Sequence, residues 1–389
     1  MYKIMTRNQI SVKGLDRFPR AKYEIASEIG TPDAIMLRSH VLAAEDIDAS
    51  IKAIGRAGAG VNNIPVEDCS ARGIVVFNAP GANANAVKEL AIAAMLLAAR
   101  DIVGAIEFVR REGPGKGAEE LHKLVEGGKK TYGGTELKGK TLGVVGLGAI
   151  GSLVAETGLM LGMNVLGYDP ALSVEAAWRL SRDVRRMENM QSLLAKSDFV
   201  TLHLPVLEAT RNLINKELVD SFKNGAVLIN LSREKVVDTE AILAGLESGR
   251  ISQYLTDFPM VELIGHPRVV LIPHLGASTE EAEENCAIMI ADQLSDFLEN
   301  GNIRNSVNFP NTMLERNGLY RLAISNRHVP KMLGQVLSVL ADQSINVLDM
   351  INKSRGDIAY NLIDIETPVS AEVVEKLTAI AGVINVRTL

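Results

Sequence analysis

The sequence predicts an α/β protein built around a doubly wound parallel sheet, on three observations. First, Gly146-Leu147-Gly148-Ala149-Ile150-Gly151 stands between an apolar run, Thr141–Val145, and an apolar-periodic segment at 153–161, so a strand ends in Gly-x-Gly-x-x-Gly and turns directly into a helix. Second, strand-like runs at 141–146, 164–168, 199–204, 226–230, 251–255 and 269–272 alternate with helical segments, as parallel strands joined by crossovers do. Third, hydrophobic residues make up 47% of the chain and aromatics only 4%, a balance that favours aliphatic helix-on-sheet packing.

The glycine turn carries the first functional expectation. Its backbone donors open a helix N-terminus, where a pyrophosphate can sit without meeting a side chain. The next strand, Asn164–Tyr168, runs into Asp169, 18 residues beyond Gly151, a position from which a carboxylate holds a ribose diol. Pro170 and Ala171 follow, with no cation to receive a 2'-phosphate. A Rossmann-type domain that binds NAD(H) is therefore expected, with Gly146, Gly148, Ala149, Ile150, Gly151 and Asp169 on the cofactor.

At 389 residues the chain exceeds what one core usually serves, so further units are expected. Runs at 2–6, 34–38, 51–55 and 74–78 read as strands of a smaller α/β unit over residues 1–98. Residues 85–110 read as one long helix leading into a nucleotide-binding unit over 99–284, and the Gly- and Lys-rich stretch 112–140 as a surface excursion or subunit arm. Ser278-x-x-Glu281 reads as a capping box opening a helix over 280–299, which returns the chain to the first unit and completes it over about 285–303. Residues 318–389 then read β, α, β, β, α, β, a ferredoxin-like pattern.

Composition excludes several classes. A formal charge of −6 and the lack of a basic stripe argue against nucleic acid as a partner. Arg182, Arg185 and Arg186, beside Asp183 and Glu188, read as a solvated helix face. Cys69 and Cys286 have no metal-ligand spacing and are expected as buried thiols of a reducing compartment, with no metal bound. No run of membrane-spanning length or leader-like apolar stretch is present, so a soluble cytoplasmic protein without membrane partners is expected.

Two polar residues follow predicted strands at the ends where this fold places ligands. Arg233 lies beyond the 226–230 run, and its planar fork suits the carboxylate of a 2-oxo or 2-hydroxy acid. His274 lies beyond the 269–272 run and suits the proton that accompanies hydride transfer.

With these residues stand Gly55-Arg56-Ala57-Gly58-Ala59-Gly60-Val61-Asn62-Asn63-Ile64, Phe77-Asn78-Ala79-Pro80-Gly81-Ala82-Asn83 and Thr201-Leu202-His203-Leu204-Pro205. Together they resemble the D-isomer-specific 2-hydroxyacid dehydrogenases over essentially the whole chain, and the tail resembles an ACT domain. The resemblance implies a flavodoxin-like substrate domain beside the nucleotide-binding one. It also implies NAD-dependent oxidation of 3-phospho-D-glycerate to 3-phosphohydroxypyruvate, the first committed step of L-serine biosynthesis, by a homodimer or homotetramer. Trp178 and the 112–140 stretch are possible subunit contacts. By the same resemblance Arg233 and His274 are catalytic, and Arg38, Ser39, Arg56, Gly58 and Asn83 join them on the substrate side. Leu204, Pro205, Thr210, Leu231, Ser232, Asp257 and Gly276 would line the cofactor, with Arg233 and His274 also beside it.

One departure concerns the acid that pairs with the histidine in Asp-x-Phe-Pro-x-Glu. This chain reads Thr256-Asp257-Phe258-Pro259-Met260-Val261-Glu262, so the acid is expected one residue late, at Glu262, with Asp257 as the other candidate. A second departure lies in the tail, where Asn326-Arg327-His328-Val329-Pro330-Lys331 exchanges the expected His and Asn and puts Lys in place of Gly, with Asn346 following. Weak serine inhibition or none is expected from it. The reading leaves open a reductase of another 2-oxo acid, such as 2-oxoglutarate, glyoxylate or hydroxypyruvate, and a non-catalytic NAD(H)-sensing protein.

Overall fold

The computed structural model describes residues 1–389, the side chain of Glu175 aside. The chain divides into two compact units, residues 1–83 with 280–389, and residues 84–279.

In the second unit, seven strands form one parallel sheet: β6 Thr141–Val145, β7 Asn164–Tyr168, β8 Arg185–Arg186, β9 Phe199–Leu202, β10 Ala226–Asn230, β11 Ile251–Thr256 and β12 Val269–Leu271. Their order is β12-β11-β10-β9-β6-β7-β8, so the winding reverses between β6 and β9, where such sheets bind their ligands. The last residues of six strands stand in one register row: Tyr168, Val145, Leu202, Asn230, Thr256 and Leu271. Both faces are buried, as a parallel sheet requires. Leu142, Val144, Ile229 and Leu255 share one core with Val154 and Ala155 of the Ala149–Met160 helix and with Val87, Ala91 and Met95. Leu202, Leu228 and Tyr254 share the other with Leu194, Phe222 and Leu246.

This unit corrects three expectations and adds a helix within the 112–140 stretch. Residues 84–98 belong to it and not to the first unit, because the Ala84–Ala99 helix packs its apolar face on the nucleotide-binding core. The expected helix over 85–110 breaks after Ala99 and restarts as Ile102–Glu112, whose N-terminus is capped by Asp101 accepting from Gly104 N at 2.9 Å. The 112–140 stretch carries its own helix, Ala118–Gly128. Arg185 and Arg186 are exposed, as expected, but form the edge strand β8 and no helix.

In the first unit, β1 Tyr2–Arg7, β2 Tyr23–Ala26, β3 Ala34–Leu37, β4 Ala53–Arg56 and β5 Val75–Phe77 form a parallel sheet in the flavodoxin-like order β2-β1-β3-β4-β5. β2, which carries the charged Glu24, was not expected. The Glu280–Asn300 helix covers one face through Ile290, Leu294 and Phe297. Ser278, the expected cap, donates instead to the carbonyl of His274 at 3.4 Å.

The C-terminal residues form a four-stranded antiparallel sheet of β13 Tyr320–Arg327, β14 Val347–Arg355, β15 Ile358–Ile365 and β16 Val383–Thr388, ordered β14-β15-β13-β16. With the Met332–Asp342 and Ala371–Thr378 helices on one face, this is the expected βαββαβ arrangement. Its other face, through Ala323, Ile358, Tyr360 and Leu362, joins the core of the first unit, so 318–389 is no free-standing module.

That junction contains a fully buried ion pair. Arg321 donates to both oxygens of Asp364, at 2.5 and 2.9 Å, and to the carbonyls of Asn300, Leu314 and Glu315. Every donor direction of the guanidinium facing the linker is used. Burial pushes the Asp364 carboxyl up, but the hydrogen bonds from Arg321 and Asn317 N and the positive charge of Arg321 outweigh it and hold the group below the usual range. Its stabilisation is therefore present at neutral pH and is lost as pH falls through the lowered value. Asp364→Ala leaves a buried guanidinium without its counter-charge and should cost about 3–5 kcal/mol in urea unfolding. A loss under about 1 kcal/mol would remove the pair from the account of how this sheet is held.

Candidate active site

One step beyond the register row, the six strands of the second unit deliver Asp169, Gly146, His203, Leu231, Asp257 and Ile272 to a common edge. At Gly146 the backbone takes φ +88°. A Cβ there would stand 2.3 Å from the carbonyl oxygen of His203, and one on Gly151 would stand 1.9 Å from that of Gly146. Both positions exclude any side chain. Gly148, by contrast, has no atom within 4 Å of where a Cβ would stand, so open space lies at the N-terminus of the Ala149–Met160 helix. Asp169 accepts from Leu147 N and Ala171 N, both at 2.9 Å, which fixes its carboxylate beside this turn. The cradle, the free helix terminus and the adjacent acid fit a dinucleotide.

The loops after β9 and β10 are tied together. Ser232 Oγ donates to the Leu202 carbonyl at 2.6 Å and accepts from Leu204 N at 3.0 Å, while Thr210 Oγ1 donates to the Pro205 carbonyl at 2.6 Å. Leu231 is buried. Asn230, wholly buried at the end of β10, accepts from Ser232 N at 3.1 Å and donates to the Arg233 carbonyl at 3.0 Å. Arg233 thus projects from a loop braced on both sides.

Arg233 and His274 meet at one ring. The guanidinium carbon of Arg233 lies 5.6 Å from the centroid of Phe258, and the His274 ring centroid lies 4.5 Å from it. Asp257, buried beneath, accepts from Gly276 N at 3.1 Å, and its Oδ1 has no hydrogen-bond partner among the described residues. Burial pushes its carboxyl up, opposed by the Gly276 hydrogen bond and by the charges of His274 and Arg233. Glu262 is exposed on the Val261–Leu263 turn, and among the described residues no hydrogen bond or ion pair joins it to His274. The other histidine at this edge differs. Burial lowers the His203 imidazole to about 4, so it is neutral at neutral pH, with Nε2 3.0 Å from Thr201 Oγ1.

In the first unit the carboxyl ends of β3 and β4 bring Arg38, Ser39, Arg56 and Gly58 together. Arg56 Nε donates to the Arg38 carbonyl at 3.0 Å, and Arg38 pairs with Glu283 at 2.6 Å. A Cβ on Gly58 would stand 2.1 Å from Nη1 of Arg56, so only glycine leaves the guanidinium its place. Asn83 ends this stretch of the first unit.

Phe258 and Asn230 were not anticipated from sequence. An aromatic residue two positions beyond a strand in a chain this poor in aromatics, and a polar residue ending an otherwise apolar strand, were the available signals. Among the described residues no cluster of His, Cys, Asp or Glu could hold a metal, and no helix is long and apolar enough to cross a membrane.

Residues 92–276 match the family model for the NAD binding domain of D-isomer specific 2-hydroxyacid dehydrogenases. The chain is 33% identical over 381 residues to the D-3-phosphoglycerate dehydrogenase of Haemophilus influenzae, covering 94% of this chain and 88% of that protein. It is 33% identical over 353 residues to that of Methanocaldococcus jannaschii, covering 88% of this chain but only 64% of the relative's length. Among solved structures, NAD+-bound 3-phosphoglycerate dehydrogenase of Entamoeba histolytica is similar with a TM-score of 0.60 and 26% identity, covering 80% of this chain and 99% of that one. The chain belongs to the D-isomer specific 2-hydroxyacid dehydrogenase family.

Proposed function

We propose that the protein oxidises 3-phospho-D-glycerate to 3-phosphohydroxypyruvate with NAD. The observation that carries this reading is the His274–Phe258–Arg233 group above buried Asp257, on the same strand edge as the glycine turn. Relatives named D-3-phosphoglycerate dehydrogenase favour the phosphorylated acid over other 2-hydroxy acids. When bound, the nicotinamide takes the hydride in oxidation and supplies it in reduction. Gly146, Gly148 and Gly151 would admit the pyrophosphate to the helix N-terminus and Asp169 would hold the ribose. Arg233 binds the substrate carboxylate with its two-pronged face, and Phe258 keeps the guanidinium and the imidazole side by side. His274 accepts the hydroxyl proton in oxidation and returns it in reduction. Asp257, buried with its Oδ1 unpartnered among the described residues, is the acid proposed to support His274, in place of the exposed Glu262.

His274→Ala should lower kcat by about 10²-fold to 10⁴-fold while NADH binding, followed by fluorescence, is unchanged. Arg233→Lys should also be severe, because an ammonium lacks the fork. Wild-type rates in either variant would remove that residue from the chemistry. A panel of 3-phosphoglycerate, 2-hydroxyglutarate, glycolate and glycerate identifies the preferred acid, and no turnover with any of them would favour a sensing role.

The supporting acid is read from kcat over the pH profile. Asp257→Asn should lower kcat across the profile while NADH binding is unchanged, whereas Glu262→Gln should leave both at wild-type values. The opposite pattern would return the role to Glu262.

The βαββαβ portion is proposed to be an ACT-type regulatory or assembly module. Lys331 caps the Met332–Asp342 helix with φ +71°, a left-handed position that favours glycine, and its side chain is exposed at the mouth of the 327–331 loop. Serine at millimolar concentration should inhibit weakly or not at all. Strong inhibition abolished by His328→Ala or Asn346→Ala would reverse this.

A further inference from the structure

The first unit has an edge built like that of the second. Arg7, Leu37 and Arg56 end β1, β3 and β4 in one register row, and the sheet reverses its winding between β1 and β3. The residues one step beyond β1 and β3 are Asn8 and Arg38. Asn8 has φ +67°, one of the few residues without glycine's freedom to adopt the left-handed region. That conformation turns its side chain onto the neighbouring loop, where Oδ1 accepts from His40 N at 2.5 Å.

The same loop is gripped elsewhere. Asn63 Nδ2 donates to the carbonyls of Arg38 and His40, at 3.1 and 2.7 Å, and Arg56 Nε donates to that of Arg38 at 3.0 Å. The three-residue segment Arg38-Ser39-His40 thus has its N–H and two carbonyls assigned to Asn8, Asn63 and Arg56. Two buried polar atoms in this region, Arg7 Nε and Asn63 Oδ1, have no hydrogen-bond partner among the described residues. A donor and an acceptor left open at a switch-point edge call for a polar ligand or its water.

We propose that Asn8 is a positioning residue for anion binding at the edge of the first unit: by holding His40 N it sets the Arg38-Ser39-His40 loop so that this segment and Arg56 receive an anionic group. The proposal rests on the reading of the protein as a dehydrogenase of a phosphorylated 2-hydroxy acid. Asn8 itself touches no substrate. Its contribution is the difference between a loop already in the binding conformation and one that must be ordered each time a ligand arrives.

Asn8→Gly in the full chain separates the two properties of this residue, since glycine keeps the left-handed backbone and removes only the acceptor. The expected result is a KM for 3-phosphoglycerate raised about threefold to tenfold, the worth of one net hydrogen bond. kcat, NADH affinity and Tm should stay at wild-type values, and hydrogen exchange of the His40 amide should accelerate. Asn8→Asp, which keeps an acceptor oxygen, should return the His40 amide to slow exchange. Should Asn8→Gly not fold, Asn63→Ala, which frees the His40 carbonyl and leaves that of Arg38 to Arg56 alone, should show the same split between KM and kcat. An unchanged KM with fast His40 exchange, or a lowered Tm with unchanged KM, would overturn the proposal. Wild-type turnover in the same assay tests the substrate reading separately. If another acid is preferred, the KM shift is read on that acid, and with no turnover at all it is read as inorganic phosphate affinity by calorimetry.

Discussion

The strand edge that carries the candidate site depends on how closely three stretches of backbone nest at Gly146. The His203 carbonyl occupies the space of a Cβ on Gly146, and the Gly146 carbonyl occupies that of a Cβ on Gly151. The end of β9, the turn after β6 and the first turn of the next helix are therefore locked together by van der Waals exclusion. From this contact the remaining parts follow by short hydrogen bonds between neighbouring strands. Ser232 hooks β10 to β9, Asn230 braces Arg233, and Asp257 holds Gly276 in the segment that presents His274. Groups that must agree to within a fraction of an ångström are thus referred to one row of strand ends and not to long loops.

How much of this was legible in the sequence depended on whether the signal was local. β6 and β10 read clearly because each is a largely apolar run bounded by glycine or polar residues, and Arg233 and His274 stood out as polar residues just beyond such runs. β8 is two arginines at a sheet edge and β2 four residues with a glutamate, neither of which produces a hydrophobic pattern. The break after Ala99 is made by a distant segment: Gly134 packs against the Ala99 carbonyl and Thr135 N donates to it at 2.8 Å, while the apolar periodicity runs through undisturbed. The Ala84–Ala99 helix presents an apolar stripe that either unit could have covered. Amphipathicity names a buried face but not the partner that buries it.

The supporting acid shows the same limit at the scale of one residue. The resemblance to the family's segment pointed to Glu262, with Asp257 as the other candidate. In the fold Asp257, immediately after β11, is buried, whereas Glu262 rides an exposed turn. Asp257 and Asn230 are distinguished at this edge by burial, a property fixed by strands far apart in the chain.

The first unit is assembled from both ends of the polypeptide, and this sets an order on its synthesis. Ile4, Met36, Val75 and Phe77 share their core with Ile290, Leu294, Phe297, Tyr360 and Leu362. None of the latter exists when the first five strands leave the ribosome. The whole 84–279 unit must be made in between, roughly 10–40 s of elongation at typical rates. During that interval an apolar sheet face has no cover, while the nucleotide-binding unit can close on itself. The nascent chain therefore passes through a stage with one finished unit and one open sheet, the period in which a chaperone would be needed most.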